Sequence, residues 1–298
     1  MTMSPEIGEL AIVTGTSSGI GAATARELAR RGFHVLAGVR RDQDAEAIRG
    51  PGIEPVIIDV TNPDHIAALA ARVHRDPGGR GVRALVNNAG KGVNVPVEAY
   101  AIEEWRRLFE VNLFGQIAVT QALLPALVRS KGRVVNVSSV GGKIAMATYG
   151  PYAATKFALE AASDSLRREL APLGVRVVVI EPGAVVTEML SRASDTAHEL
   201  GSAMTPEQNQ RYGRLVHAIA AQAASSAKSG LPPEAAAKVI ARAVTSHEPR
   251  TRYTVGRDAA LVTRMARILP DRTLDRVLAA ALRPHYRYRA GGSLLRTE

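Results

Sequence analysis

The sequence contains no cysteine, which excludes disulfides, thiolate metal ligands and a thiol nucleophile. Their absence fits a reducing compartment. The seven histidines are scattered, and no His or acid cluster has metal-ligand spacing, so no metal is expected. The opening decapeptide MTMSPEIGEL has no basic segment followed by an apolar stretch, so it does not read as a signal peptide. No run approaches the ~18 apolar residues that a bilayer span needs. A cytoplasmic protein is the expectation. Lysine is missing from residues 250–298, which hold eleven arginines and four acids, a net +7 that leaves only +3 for the first 249 residues. The body therefore lacks the basic face that nucleic-acid binding requires, and no nucleic-acid partner is expected.

What remains is ordinary for a soluble globular chain. Hydrophobic residues make up 46% and charged residues 22%, enough for a sizeable core. Short apolar runs occur at residues 9–13, 33–39, 56–60, 84–86, 134–137 and 175–180, with helical spacing between them, notably at 66–73, 102–127 and 155–170. The runs are continuous rather than alternating, as expected of strands covered by helices on both faces. Strand–helix alternation implies an α/β fold with a doubly wound parallel sheet of the Rossmann type, its crossovers right-handed. Beyond about residue 184 the alternation fades, and a last strand is expected at 251–255. With no internal repeat and no low-complexity linker, the chain reads as a single domain over residues 1–255 with a helical C-terminal extension over 256–298.

Thr14-Gly15-Thr16-Ser17-Ser18-Gly19-Ile20-Gly21 joins the first apolar run to a helical pattern. Glycines there allow a tight turn and the close approach of a pyrophosphate to a helix N-terminus. A plain structural turn is the alternative reading. The second run ends in Arg40-Arg41 rather than in the acid that binds a ribose 2′-hydroxyl in NAD-preferring sites. A guanidinium at that point favours a 2′-phosphate, and Arg40 lies nearer the strand end. NADP(H) is therefore the preferred cofactor, with NAD(H) as the alternative.

Tyr152 and Lys156 are four residues apart and share a helix face. An unperturbed phenol has a pKa near ~10. A neighbouring ammonium is expected to lower it, which suits proton exchange with a carbonyl or an alcohol. Tyr149 is a rival, but Ala153 stands where its lysine would be. Ser138-Ser139 follows the run at 134–137, at the carboxyl end of a sheet strand, where ligands bind in open α/β sheets. Either hydroxyl can donate to a substrate oxygen.

Taken in order, Thr14-Gly15-xxx-Gly19-x-Gly21, Asn87-Asn88-Ala89-Gly90, Asn112, Ser139, Tyr152-xxx-Lys156 and Pro182-Gly183 resemble the short-chain dehydrogenase/reductases over roughly residues 9–190. The thirteen-residue gap from Ser139 to Tyr152 is similar to the family's and favours Ser139 over Ser138. Ser139-Val140-Gly141-Gly142, Lys156-Phe157-Ala158-Leu159-Glu160, Val39-Arg40 and residues 252–271 look most like the steroid and retinol dehydrogenase branch. The resemblance implies a catalytic set of Asn112, Ser139, Tyr152 and Lys156. Tyr152 exchanges the proton, Lys156 binds the nicotinamide ribose and depresses the phenol, Ser139 orients the carbonyl, and Asn112 holds a water leading to Lys156. It implies a cofactor site of Gly15, Ser17, Ser18, Gly19, Ile20, Gly21, Arg40, Asp59, Val60, Asn88, Ala89, Gly90, Tyr152, Lys156, Pro182, Gly183, Val185 and Thr187. Substrate would meet Ser139, Tyr149 and Tyr152.

Residues 188–230 are expected to form a lid over the substrate. Its Met189, Leu190, Leu200, Met204, Leu215, Val216 and Ile219 suit a lipophilic ligand. Residues 259–282 carry apolar positions interleaved with Arg264, Arg267, Arg272 and Arg276, an amphipathic basic pattern. It either packs on the body or a second subunit, the favoured reading, or lies on a membrane surface. A homo-oligomer is the expected state by family analogy. The expected activity is oxidoreduction of a lipophilic secondary alcohol or ketone, steroid-like or retinoid-like, with NADP(H). The alternative is a regulatory protein that binds the cofactor without turnover.

Overall fold

The computed structural model describes residues 8–189 and 204–287, the side chains of 226–228 and 287 excepted. Seven strands form one parallel sheet: β1 (Leu10–Val13), β2 (His34–Val39), β3 (Ile53–Ile57), β4 (Val82–Asn87), β5 (Arg133–Val137), β6 (Arg176–Pro182) and β7 (Arg252–Val255), in the order β3-β2-β1-β4-β5-β6-β7. The chain runs outward from β1 to β3, then returns to place β4 on the other side of β1. This reversal opens a crevice at the carboxyl ends of β1 and β4.

Helices cover both faces. On one side α1 (Gly19–Arg30), α2 (Asp42–Ile48) and α8 (Pro233–Thr245) bury Ala25, Leu28, Ile48, Ile240 and Val244 against Val13, Val35 and Val135. On the other, α3 (Pro63–His74), α5 (Gly115–Arg129) and α6 (Gly150–Leu170) bury Ile66, Leu69, Leu123, Leu127 and Leu170 against Ile12, Leu36 and Leu85. With both faces covered, all four residues of β1 and all five of β5 are buried; β1 therefore reads as an unbroken apolar run, and β5 as one interrupted only by Arg133 and Asn136. The remaining helices are α4 (Ile102–Phe109), α7 (Pro206–Ser229), α9 (Arg257–Ile268) and α10 (Asp271–Leu282).

Four sequence expectations change. The third strand lies at Ile53–Ile57 rather than 56–60, because its ladder stops with Val39, the last residue of β2. Ile58 and Val60 are buried beyond the sheet. Helix α2 was not foreseen; Asp42 and Asp44 in its first turn suit the positive helix end, and Arg41 pairs with Asp44. The alternation does not fade after residue 184, since α8 leads into β7. Much of the buried face of α8 is alanine: Ala236, Ala237, Ala241 and Ala243 lie against the core, and alanine gives a weak periodic signal. Finally, the helix Ile102–Arg129 is long and apolar enough to cross a membrane by length and composition. Its Val119, Leu123 and Leu127 are spent on the sheet.

At the opposite edge of the sheet, Asp76 accepts from the backbone N–H of Arg80 (3.0 Å), from Arg80 Nε (2.8 Å) and from Arg72 Nη1 (2.9 Å). The Arg80 hydrogen bond leads the effects that hold its carboxyl well below the usual range, against burial. A depressed carboxyl stabilises the fold above its unfolded pKa, and that contribution is lost as pH falls through the folded value. Asp76→Asn is expected to lower Tm by about 5 °C at neutral pH. Thermal melts should show the gap narrowing progressively below about pH 4.

Candidate active site

The crevice at the ends of β1 and β4 is held by side chains that leave little freedom. Thr14 is buried, and its Oγ1 accepts from the backbone N–H groups of Asn88 and Ala89, both at 3.0 Å. Asn88 Nδ2 donates to the carbonyls of Thr14 (2.9 Å) and Gly15 (3.0 Å). Gln116 Nε2 donates to Ala89 O at 2.9 Å. Gly15 has φ 70, and a Cβ there would lie 2.8 Å from the Ala89 backbone; a Cβ on Gly21 would lie 2.1 Å from Gly15 O. The turn is therefore as tight as its glycines allow. Ser18, the extended N-cap of α1, makes no side-chain cap hydrogen bond, so no N-cap side chain satisfies the first amides of the helix, the groups by which a helix N-terminus binds an anion. Thr187 reaches the same loop: its Cγ2 lies 3.1 Å from where a Cβ on Gly19 would be.

At the end of β2 the two arginines differ. Arg41 donates to Asp44 through Nε (2.8 Å) and Nη2 (3.0 Å). Arg40 is exposed, and its charge acts on Asp59 at the end of β3. The Asp59 carboxylate accepts from Thr61 N (2.9 Å) and Thr61 Oγ1 (2.7 Å), so it holds its own turn. Val60 follows, buried against the start of α5.

Ser139, Tyr152, Lys156 and Asn112 converge further along the same edge. Ser139 caps the turn Val140–Gly142, where Gly141 N donates to its Oγ at 3.0 Å. Its hydroxyl lies beside the ring of Tyr152 on the first turn of α6: a Cβ on Gly141 would be 3.4 Å from Ser139 Oγ and 3.3 Å from Tyr152 Cε1. The neighbouring Ser138 Oγ is buried with no hydrogen-bond partner, so Ser139 is the serine beside the ring. Lys156 Nζ donates to Val137 O at 2.9 Å and stands 5.8 Å from the centre of the Tyr152 ring. Asn112 is buried in a π-helical stretch, Glu110–Phe114, between α4 and α5. Such bulges re-aim a side chain. Its Nδ2 donates to Lys91 O (2.9 Å) and Thr155 Oγ1 (3.1 Å), and its Oδ1 accepts from Lys91 N (2.7 Å). Asn112 is thus pinned between the loop after β4 and α6.

The electrostatics depart from the expectation of a depressed phenol. Burial pushes Tyr152 up to about 12, opposed by the Ser139 hydrogen bond. Burial also pulls Lys156 down to about 8, opposed by Glu160. Desolvation is the largest influence on both groups, and it favours the protonated phenol.

Pro182 ends β6, and Gly183 N donates to Val255 O at 3.0 Å. Val185 is buried and bridges Leu231. Tyr149 lies near Asn94 and packs with Leu215, Ala218 and Ile219 of α7 and Leu282 of α10. The far end of the chain therefore packs beside the site. Helix α7 is tied across it by Glu98, which accepts from Tyr212 Oη (2.8 Å) and pairs with Arg211. Leu190 and Leu200 of the expected lid lie outside the described residues. Sequence reasoning missed Asn94, Gln116, Thr155 and Thr148. Thr148 has φ 66, a rare conformation for a β-branched residue, and its carbonyl accepts from Val95 N at 2.8 Å. Only the contacts identify these four.

A family profile described as short chain dehydrogenase matches residues 9–198. The NADPH-dependent 3-dehydrocapnine reductase of Ornithobacterium rhinotracheale is 34% identical over 275 residues, spanning 90% of this chain and 95% of that protein. Retinol dehydrogenase 5 of Mus musculus is 36% identical over 275 residues, spanning 89% and 86%. A solved Burkholderia cenocepacia short chain dehydrogenase in complex with NADP superposes with a TM-score of 0.70 at 28% identity, covering 92% of this chain and 97% of its own. The chain belongs to the short chain dehydrogenase family and is an oxidoreductase, with its likeness in the retinol dehydrogenase branch.

Proposed function

We propose that the protein interconverts a lipophilic secondary alcohol and its ketone with NADP(H), Tyr152 serving as the acid/base. The observation that carries this reading is the clustering of Ser139, the Tyr152 ring and Lys156 around the Val140–Gly142 turn, at the sheet edge that holds the Gly15–Gly21 turn. The crevice fits a dinucleotide. A Cβ on Gly15 or Gly21 would fill the turn, and α1 presents its N-terminus there. Gly15, Ser17, Ser18, Gly19, Ile20 and Gly21 would hold the pyrophosphate, Arg40 the 2′-phosphate and Asp59 and Val60 the adenine end. Asn88, Ala89 and Gly90 would line the adenosine side. Lys156 would hold the nicotinamide ribose, and Pro182, Gly183, Val185 and Thr187 the nicotinamide end. When bound, the cofactor supplies hydride chemistry.

The protein's own part is to hold and move a proton. Ser139 donates to the substrate oxygen and fixes its position. Tyr152, held protonated by burial, donates its proton to that oxygen as negative charge develops on it. The buried ammonium of Lys156 then faces the phenolate that remains and stabilises it. Asn112 supports a path by which the proton is replaced. Leu215 and Ile219 against Tyr149 support an apolar ligand. A panel of ketones and aldehydes, followed by loss of NADPH absorbance, tests the reading. Turnover favouring bulky apolar ketones is expected; no turnover across the panel would reject it.

The extension also bears on how such a ligand arrives. Leu261 and Ile268 are 59% and 75% exposed on α9, among exposed Arg257, Arg264 and Arg267. This surface supports peripheral contact with anionic lipid. The full chain should co-sediment with phosphatidylglycerol vesicles but not with phosphatidylcholine vesicles, and a Leu261→Ser/Ile268→Ser variant should remain in the supernatant. Equal recovery of both proteins with the anionic vesicles rejects the contact.

A further inference from the structure

Two carboxylates, Glu160 on α6 and Glu181 on β6, are buried behind the catalytic turn. Lys143, which follows the Val140–Gly142 turn, donates to Glu160 Oε2 at 2.6 Å. Arg252 on β7 donates to the same oxygen at 3.0 and 3.1 Å, and to Asp164 Oδ1 at 2.9 Å. Glu181 shares both cations, at 3.7 Å from Lys143 Nζ and 3.4 Å from Arg252 Nε. Stability alone is a poor reason for such a cluster, because apolar replacements of buried ion pairs are often neutral or stabilising.

Its position relates it to the site. Glu160 follows Lys156 by one helical turn. A Cβ on Gly142 would meet Ser138 Oγ at 2.7 Å, Glu160 Cγ at 3.0 Å and the Lys156 carbonyl at 3.1 Å. The turn that Ser139 caps is therefore seated directly on the Lys156–Glu160 stretch. Glu181 immediately precedes Pro182-Gly183 on β6.

We propose that Glu160 is a positioning residue: gripped by Lys143 and Arg252, it seats the Ser139 turn on α6 and keeps negative charge one turn from Lys156, holding that buried ammonium in its charged form. The consequence for turnover rests on the proposed Tyr152 chemistry; the effect on Lys156 does not. The titratable and charged groups around Lys156 are Tyr152 and Glu160 on its own helix, Lys143 beyond the turn, Glu181 on β6, Arg252 on β7 and Lys91 in the loop paired with Asn112. Of these, Glu160 is the one that opposes the downward pull of burial on Lys156.

The test reads Lys156 directly. In full-length protein with 13C-labelled lysine, the ε-carbon signal missing from Lys156→Arg is titrated in wild type, Glu160→Gln and Lys143→Met. Removing the carboxylate should lower the midpoint by about one pH unit, and removing the neighbouring cation should raise it. Opposite shifts separate a charge effect from loosening. Shifts of the same sign, or none, overturn the proposal. Should Glu160→Gln fail to fold, Lys143→Met decides alone: a raised midpoint supports the proposal, and an unchanged or lowered one rejects it. In turnover, Glu160→Gln should lower kcat about tenfold with NADPH affinity within about twofold, while Glu160→Asp restores the alkaline limb of the pH profile. Wild-type kcat in Glu160→Gln overturns the seating role. If Tyr152→Phe remains active while the Lys156 midpoints shift as stated, the acid/base reading of Tyr152 fails and the placement of Glu160 stands.

Discussion

Tyr152→Phe is expected to lower kcat about a thousandfold while leaving NADPH affinity within about threefold. The substitution removes one oxygen from a buried ring. The ring keeps its packing, since its edge lies 3.3–3.5 Å from the position of a Cβ on Gly141, so the turn capped by Ser139 has little reason to move. What disappears is the proton that the substrate oxygen receives. Steady-state kcat and a fluorescence titration with NADPH make the separation, and a variant within about tenfold of wild type would end the assignment. In the reductive direction, turnover should also fall as pH rises through the ionisation of Lys156, at about 8. Above that point the phenolate left after proton donation loses the ammonium that stabilises it. The phenol itself, at about 12, stays protonated through this range.

Arg40→Ala is expected to raise KM for NADPH about fiftyfold and to change KM for NADH less than twofold. The basis is the loss of a charge-assisted pair with a doubly charged phosphate. The neighbouring residue is an internal control. Arg41 is paired with Asp44 at the start of α2, so Arg41→Ala should alter both constants only slightly. Because Arg40 is exposed, its removal should not disturb the fold. Equal weakening of both cofactors would mean that the guanidinium has no contact with the 2′ position, and the NADP(H) preference would have to come from elsewhere.

The sheet was readable because its inner strands β1, β2, β4, β5 and β6 are buried on both faces, and β1 appears as a continuous apolar run. The proposed catalytic face was readable because Tyr152 and Lys156 lie one turn apart on α6, and Ser139 follows a buried strand. Other features have no local signature. The end of β3 is set by where β2 stops, not by the hydrophobicity of Ile58 and Val60. Helix α8 packs through alanine. The π-helical stretch around Asn112 interrupts what reads as one regular helix; at its end a Cβ on Gly115 would lie 2.6 Å from Val60 O. The Asn94 contact to Tyr149 joins residues 55 apart in sequence, and only the folded chain brings them together. The expectation of a depressed phenol failed for a related reason. Spacing reports that an ammonium is near, but it does not report how dry the surroundings are.

The packing of Leu282 on the Tyr149 cluster splits the chain into two kinds of inheritance. The residues proposed to handle the proton lie between residues 112 and 156, on the π-helical stretch, the Val140–Gly142 turn and α6. Part of the wall beside them arrives from a helix more than a hundred residues later. Substitutions at Leu282 are therefore expected to alter the packing around Tyr149 without touching Ser139, Tyr152 or Lys156.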